Sequence, residues 1–358
     1  MARFILAAGG TGGHIFPALA VAQQLMADGH EALLYTDKRG QPMVEGKIDY
    51  RLILSASPFT GGLIRRLWGL MMLSFGLLQS IFYILLVRPK AIMGFVGYPS
   101  FAPVFAGRLL RTPCYLHEQN AVMGRANRLL ARQCRQTALS FADTKGLSVG
   151  AKTITTGLPV RAPFFAITPY KANIDSYHLV VIGGSLGARI FAEIIPEAVK
   201  QLDAELRAKL HITQQARPDQ IASLRAAYEA ANIKANIASF YHDIASLYEE
   251  CDLIISRSGA SSVSEIAAAG RASILVPFAK AMDDHQTGNA KALNDIGGAV
   301  MLSEANFTPD ILSQALSDIL ASDKKRTEMA HKTSQLANPD ASQNIASLLM
   351  SKAVGVSS

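Results

Sequence analysis

At 358 residues, with 49% hydrophobic and 18% charged side chains, the chain holds enough apolar material for two cores and lies far from the composition of disorder. A net charge of +7 suits anionic partners, yet no run of Lys and Arg interleaved with aromatics marks a nucleic-acid reader. Cys114, Cys134 and Cys251 stand far apart with no C-x-x-C pair, which argues against a zinc site or disulfide framework and fits a reducing compartment. Met1 to Ala8 is too short in apolar length for a signal peptide.

Arg3 to Ala8 reads as a short buried strand. Gly9-Gly10-Thr11-Gly12-Gly13-His14 follows, then Pro17 and a helical pattern from Ala18 to Ala27. The loop is neither a dinucleotide fingerprint nor a P-loop, but its glycines let backbone approach a bulky anionic group. Glu31 to Tyr35 reads as the second strand, and strands alternating with helices predict a parallel sheet wound on both faces.

Leu67 to Val87 carries no charged residue over 21 positions, about 30 Å as a helix. Arg65 and Arg66 flank one end, Arg88 and Lys90 the other. A membrane span, a buried core helix and a helix lying partly on the membrane surface all fit that composition. Lys90 to Val96 reads as a strand of the same sheet as Arg3 to Ala8, and a single span would separate the two across the bilayer. The expectation is therefore a surface helix, partly buried, with Arg65 and Arg66 meeting anionic headgroups.

Gly94-Phe-Val-Gly97-Tyr-Pro-Ser100 is a second glycine loop at a strand end. Thr112 to Asn120 is a strand ending in His117-Glu118-Gln119-Asn120, polar groups where open α/β sheets bind ligands. Gly124 to Ala131 is a basic helix, Gly157-Leu-Pro-Val-Arg161 a domain edge, and residues 162–176 have linker composition. The pattern then restarts: strand His178 to Ile182, loop Gly183-Gly-Ser185-Leu-Gly187-Ala188, helix Arg189 to Leu202. His211 to Gln215 and Ala238 to Tyr241 are strands; Asp219 to Ala231 and Asp243 to Glu250 are helices.

Asp252 to Ser256 is a buried strand running into Arg257-Ser-Gly259-Ala260-Ser261-Ser262-Val263-Ser264-Glu265, with Ser261 or Ser262 as the expected helix cap. Free amides and a positive dipole end suit a diphosphate there. Glu265 has two readings: a carboxylate accepting from the two hydroxyls of a ribose, or a Glu in a first helical turn favoured by the dipole. Ala272 to Val276 is a strand, and beyond it Gln286 and Asn289 share a helix face suited to sugar hydroxyls. Asp283, Asp284 and His285 are adjacent on a helix and point different ways, so no metal is expected. Pro309 to Ala321 and Asp323 to Leu336 close the second half, and Asn338 onward crosses back to the first.

Taken in order, Gly9–His14, Gly97–Ser100, His117–Asn120, Gly157–Arg161, Gly183–Ala188, Arg257–Ala260, Ser264–Gly270 and Asp284–Gln286 with Asn289-Ala290 closely resemble the MurG family of bacterial glycosyltransferases. The resemblance implies an α/β GT-B fold, two Rossmann-like doubly wound domains with a cleft between them. Residues 1–160 would bind the acceptor and the membrane, 161–176 would link, 177–340 would bind the donor, and 341–358 would form a C-terminal helix and tail. It implies inverting transfer of GlcNAc from UDP-GlcNAc to the muramyl 4-hydroxyl of undecaprenyl-pyrophosphoryl-MurNAc-pentapeptide (lipid I). The site would lie at the cytoplasmic face of the inner membrane, with no cofactor. Thr11, Gly12, Gly13, Asn120 and Arg161 would belong to the active cleft. Ser185 and the turn Ala260, Ser261, Ser262, Val263, Ser264, Glu265 would hold diphosphate and ribose, the Tyr241 backbone uracil, and Gln286 the sugar. Leu186 and Phe101 depart from the family pattern, where Gln and Gly are usual. His14 and Glu118 are the candidate bases; His14 at a loop–helix junction is also readable as a cap or loop-fixing residue, and His117-Glu118 equally as structural. A UDP-GlcNAc 2-epimerase of the same fold and a noncatalytic nucleotide-sugar-binding or membrane-adaptor protein are the alternatives.

Overall fold

The computed structural model describes residues 1–56, 62–95, 97–184 and 187–351. The chain forms two compact units, Met1–Arg161 with Asn338–Ser358, and Ala162–Ala337.

In the first unit the order is β1 (Arg3–Ala7), α1 (Gly12–Ala27), β2 (Glu31–Thr36), α2 (Gln41–Val44), β3 (Tyr50–Leu52), α3 (Leu63–Val87), β4 (Ala91–Phe95), α4 (Tyr98–Leu109), β5 (Cys114–Glu118), α5 (Arg125–Leu130), β6 (Gln136–Leu139) and β7 (Thr153–Thr155). All seven strands are parallel, in the order β3-β2-β1-β4-β5-β6-β7. The central strand is apolar on both faces because helices cover both. Phe4 and Leu6 of β1 pack with α1; Ile5 and Ala7 pack with Ile84, Ala102 and Val104 on the other side. The helix expected from Ala18 begins at Gly12 instead, so the last two glycines of the loop and His14 form its first turn, with Pro17 inside it. Tyr98 to Ser100, read from sequence as the end of the second glycine loop, instead open α4, which contains Pro99 and Pro103.

The second unit comprises α6 (Ala162–Phe165), β8 (Tyr177–Ile182), α7 (Arg189–Lys200), α8 (Ala204–Lys209), β9 (Leu210–Gln215), α9 (Ile221–Ala230), β10 (Lys234–Ala238), α10 (Ile244–Glu249), β11 (Leu253–Ser256), α11 (Ala260–Ala269), β12 (Ser273–Leu275), α12 (His285–Asn294), β13 (Ala299–Met301), α13 (Pro309–Leu320) and α14 (Asp323–Ser334). Its six parallel strands run β10-β9-β8-β11-β12-β13. Leu179, Val181, Leu253 and Ile255 pack against Phe191, Ile195, Leu312 and Leu316 in one core. Residues 162–176, read from sequence as a linker, are fastened to this unit. The Tyr170 hydroxyl donates to Asp252 Oδ1 at 2.7 Å, Arg326 Nε donates to Tyr170, and Arg271 donates to the Thr168 carbonyl. The last helix, α15 (Ala341–Met350), packs on α1 of the first unit through Ile345, Ala346 and Leu349.

Candidate active site

Each sheet reverses its strand order once, between β1 and β4 in the first unit and between β8 and β11 in the second. Ligands of open parallel sheets bind at the carboxyl ends of strands at such switch points. All four of these strands lead into the small-residue loops singled out in the sequence.

In the first unit the loops after β1 and β4 touch. A Cβ on Gly9 would lie 2.8 Å from Pro99 and 2.9 Å from Asp37 Oδ1, so only glycine allows this approach. Asp37, 6% exposed at the end of β2, accepts from the amides of Gly10 and Gly40, both at 3.0 Å, and from Arg39. Nothing in the pattern reading singled Asp37 out, although an Asp just past a strand and three residues before a glycine is a turn signal. Thr11 caps α1 in extended conformation without a side-chain bond. His14 Nδ1 lies 3.1 Å from the Gly9 carbonyl. A carbonyl only accepts, so Nδ1 carries the proton of the neutral ring and Nε2 the lone pair.

Glu118 is fully buried and braced. Its Oε1 accepts from the Asn120 amide at 3.0 Å and the Asn120 side chain at 3.4 Å. Its Oε2 accepts from the Gly124 amide at 3.0 Å and Asn127 Nδ2 at 2.8 Å. Burial pushes its carboxyl pKa up, and the four donors oppose that. This geometry disfavours Glu118 as a base: both oxygens are engaged and water cannot reach it. It holds the Gln119–Gly124 loop in shape, and through that loop sets the half-buried Asn120. His117 is likewise internal, with Nε2 donating to the Gly157 carbonyl at 3.1 Å and burial pushing its pKa down to about 4. The Arg161 guanidinium stacks 4.6 Å over the ring of Phe16, two residues beyond His14 in α1.

In the second unit a Cβ on Gly183 would lie 2.3 Å from the Ala188 nitrogen, which makes glycine obligatory in the loop after β8. Ser185 and Leu186 lie outside the described residues. After β11 the cap of α11 is Gly259, not Ser261 or Ser262, and no side chain caps the helix. The backbone amides of the first turn are therefore not claimed by a capping serine. Ala260 and Val263 are buried, while Ser261, Ser262, Ser264 and Glu265 are half-buried. Because α11 starts at Ala260, Glu265 is beyond its first turn, and the dipole reading of that residue loses its basis.

Gln286 and Asn289 divide in role. The Phe278 amide donates to Gln286 Oε1 at 3.0 Å, which orients the amide end. Asn289 is fully buried and donates to the Ser258 carbonyl at 3.0 Å, which ties α12 to the β11–α11 loop. Asp283 and Asp284, just before α12, both have φ of +52°, a left-handed pair that non-glycine residues adopt at a cost and that sequence periodicity did not reveal. Strand β10 ends at Ala238, earlier than the expected Tyr241, whose hydroxyl donates back to the Asn236 carbonyl at 2.8 Å.

Helix α3 is not a wholly buried core helix. Gly69, Gly76, Ser80 and Ile84 face the unit, whereas Leu67, Trp68, Leu78, Phe82 and Leu86 are each more than half exposed. By length and composition Ile64–Val87 is also long and apolar enough to cross a membrane.

Residues 4–139 match the N-terminal domain of glycosyltransferase family 28, and residues 178–345 match its C-terminal domain. A relative from Rhodospirillum rubrum is 41% identical, covering 97% of this chain and 91% of its own. One from Brucella abortus is 39% identical, covering 98% and 94%. Both are named UDP-N-acetylglucosamine–N-acetylmuramyl-(pentapeptide) pyrophosphoryl-undecaprenol N-acetylglucosamine transferase. The crystal structure of Acinetobacter baumannii MurG superposes with a TM-score of 0.80 at 33% identity, over 98% of this chain and 99% of that one. The chain belongs to the MurG family.

As a MurG-family protein it is a glycosyltransferase built from two Rossmann-like halves of the GT-B type. A Listeria monocytogenes structure provisionally named as a UDP-N-acetylglucosamine 2-epimerase has a TM-score of 0.70 at 13% identity, over 97% and 95% of the two chains; that likeness concerns the fold alone. The MurG-family motifs fall on both halves. Asp37, Asn127 and the left-handed Asp283 are supporting residues that those motifs do not contain.

Proposed function

We propose that this chain transfers N-acetylglucosamine from UDP-N-acetylglucosamine to the muramyl 4-hydroxyl of undecaprenyl-pyrophosphoryl-MurNAc-pentapeptide, inverting the anomeric carbon. One observation carries the reading: both switch points end in glycine or small-residue loops, in a chain 41% identical over 97% of its length to a relative bearing that activity's name.

The first unit takes the acceptor and the second the donor. His14 is the base. With Nδ1 donating to Gly9, Nε2 is the nitrogen able to take the proton of the acceptor hydroxyl as its oxygen attacks the anomeric carbon. The bond to the UDP oxygen breaks, and the charge that develops on the diphosphate is met by backbone donors of the Gly183–Ala188 loop, with Ser185, and by the α11 first turn from Ala260 to Ser264. Glu265 accepts from the ribose hydroxyls. The Tyr241 backbone meets uracil, and the Gln286 amide meets the sugar. Thr11, Gly12, Gly13, Asn120 and Arg161 line the acceptor side, with Arg161 adding a fixed positive charge. Glu118 and Asn289 act through the loops they hold.

The exposed apolar face of α3 lies on the inner membrane, at its cytoplasmic side, with exposed Arg65 and Arg66 beside anionic headgroups. That brings the enzyme to a lipid-borne acceptor. Incubation with labelled UDP-N-acetylglucosamine and a short-chain analogue of the lipid acceptor tests the assignment. Labelled disaccharide lipid is expected; 2-epimerised donor, or no turnover, would reject it.

A further inference from the structure

The first sheet has a second concentration of positive charge, at the edge opposite its glycine loops. There α4 ends at Leu109, β5 starts at Cys114, and the chain enters β6 from Cys134. A cavity of about 280 Å³ lies among these segments, lined by Arg108, Arg111, Arg135, Gln133, Cys114 and Cys134 with the Thr112–Pro113 turn.

Backbone bonds fix where the three arginines start. The Arg111 amide donates to the Arg108 carbonyl at 3.1 Å, and the Thr112 amide to Gly107 at 2.8 Å. The Arg135 amide donates to the Cys114 carbonyl at 2.8 Å. Arg111 has φ of +59°, a conformation glycine adopts without strain, yet the position holds a cation. No acidic residue lines the cavity. None of the three guanidinium groups makes a hydrogen bond or ion pair among the described residues, in contrast to Arg257, Arg271 and Arg326, each held by carbonyls. Three like charges around one concave space repel one another until an anion neutralises them. Guanidinium forks match phosphate oxygens in geometry as well as charge.

We propose that Arg108, Arg111 and Arg135 form a binding site for a phosphate group, distinct from the glycine loops and independent of the transferase reading. The group comes either from free phosphate or from the headgroup of an anionic lipid.

The test uses the full-length protein. Inorganic phosphate is titrated at constant ionic strength and binding followed by ³¹P NMR; flotation compares phosphatidylglycerol with phosphatidylcholine vesicles. The variants are R111Q/R135Q and, as a control for general loss of positive charge, R65Q/R66Q. All four side-chain changes are of exposed residues, and an unaltered unfolding temperature in chloride verifies folding. Saturable phosphate binding is expected, weakened tenfold or more in R111Q/R135Q and retained in R65Q/R66Q. Competition by phosphatidylglycerol vesicles, with reduced flotation of R111Q/R135Q, assigns the site to lipid headgroups. Phosphate binding without that competition assigns it to soluble phosphate. Equal phosphate binding and equal flotation of native protein and R111Q/R135Q would overturn the proposal.

Discussion

Asn289 donates to the Ser258 carbonyl at 3.0 Å, and the Ser258 hydroxyl donates back to the Gln286 carbonyl at 2.8 Å. Helix α12 and the β11–α11 loop are thus tied at two points, both on Ser258. Asn289→Ala leaves a buried carbonyl without its donor, a loss of about 1–3 kcal/mol. The variant is expected to unfold at lower temperature and to bind UDP-N-acetylglucosamine more weakly, because the loop that carries Ala260 loosens. Denaturant unfolding together with donor titration measures both, and an Asn289→Ala protein as stable as the parent would refute the bracing role.

His14 and Glu118 separate on kinetics. His14→Gln removes the proton acceptor and should lower kcat about 10²–10⁴-fold while donor affinity is retained. Glu118→Gln sets an amide NH₂ against N–H donors that now face a carboxylate, so its main effect should be on stability and acceptor KM. The pH–rate profile distinguishes them: the acidic limb persists in Glu118→Gln and vanishes from the residual activity of His14→Gln. The reverse pattern would make Glu118 the base.

Glu265→Ala should weaken UDP-N-acetylglucosamine binding by about 1.5–3 kcal/mol, through loss of hydrogen bonds to a charged acceptor. Calorimetric titration reads this directly. Affinity for a donor analogue lacking the ribose hydroxyls should be the same in parent and variant; a variant that loses affinity equally for both donors would remove Glu265 from the ribose.

Buried His117 is held neutral, its pKa pushed from 6.5 down to about 4. Above pH 6.5 neither folded nor unfolded chains protonate it, and its contribution to stability is complete. Between 6.5 and 4 the unfolded chain takes up a proton that the folded chain refuses, so stability falls as pH falls. At pH 5 the loss is about 2 kcal/mol. Unfolding temperatures from pH 7.5 to 5 should decline more steeply for the parent than for His117→Asn, which lacks the titrating group. Parallel slopes would count against this.

On α3, Phe75 and Phe82 are 49% and 59% exposed, so replacing them removes little packing. Phe75→Ser/Phe82→Ser should keep its unfolding temperature yet float with anionic vesicles less than the parent. If flotation is unchanged, the apolar face does not attach the protein to lipid.

The strands β1, β8 and β11 were legible because each is a run of apolar residues cut off by glycine or serine, a local signal that needs no partner. The glycine loops were legible for the same reason. Strands β3, β7 and β13 were not: each has three residues, and β7 is exposed throughout, so only pairing with a neighbouring strand makes them strands. Helix α4 was hidden by Pro99 and Pro103, which read as loop until packing on β4 and α3 favours the helix.

The one-dimensional pattern determined that two parallel α/β units exist, where their phosphate-type loops lie, and which residues carry the family motifs, since alternation, glycine spacing and helix periodicity are properties of neighbours along the chain. Tertiary structure alone decided that Glu118 and Asn289 are buried and hydrogen-bonded to neighbouring loops, that Gly259 caps α11, and that α3 exposes Leu67, Trp68, Leu78, Phe82 and Leu86. Burial and hydrogen-bond partnership join residues distant in sequence, and no local pattern encodes which of two identical carboxylates will be walled in by amides.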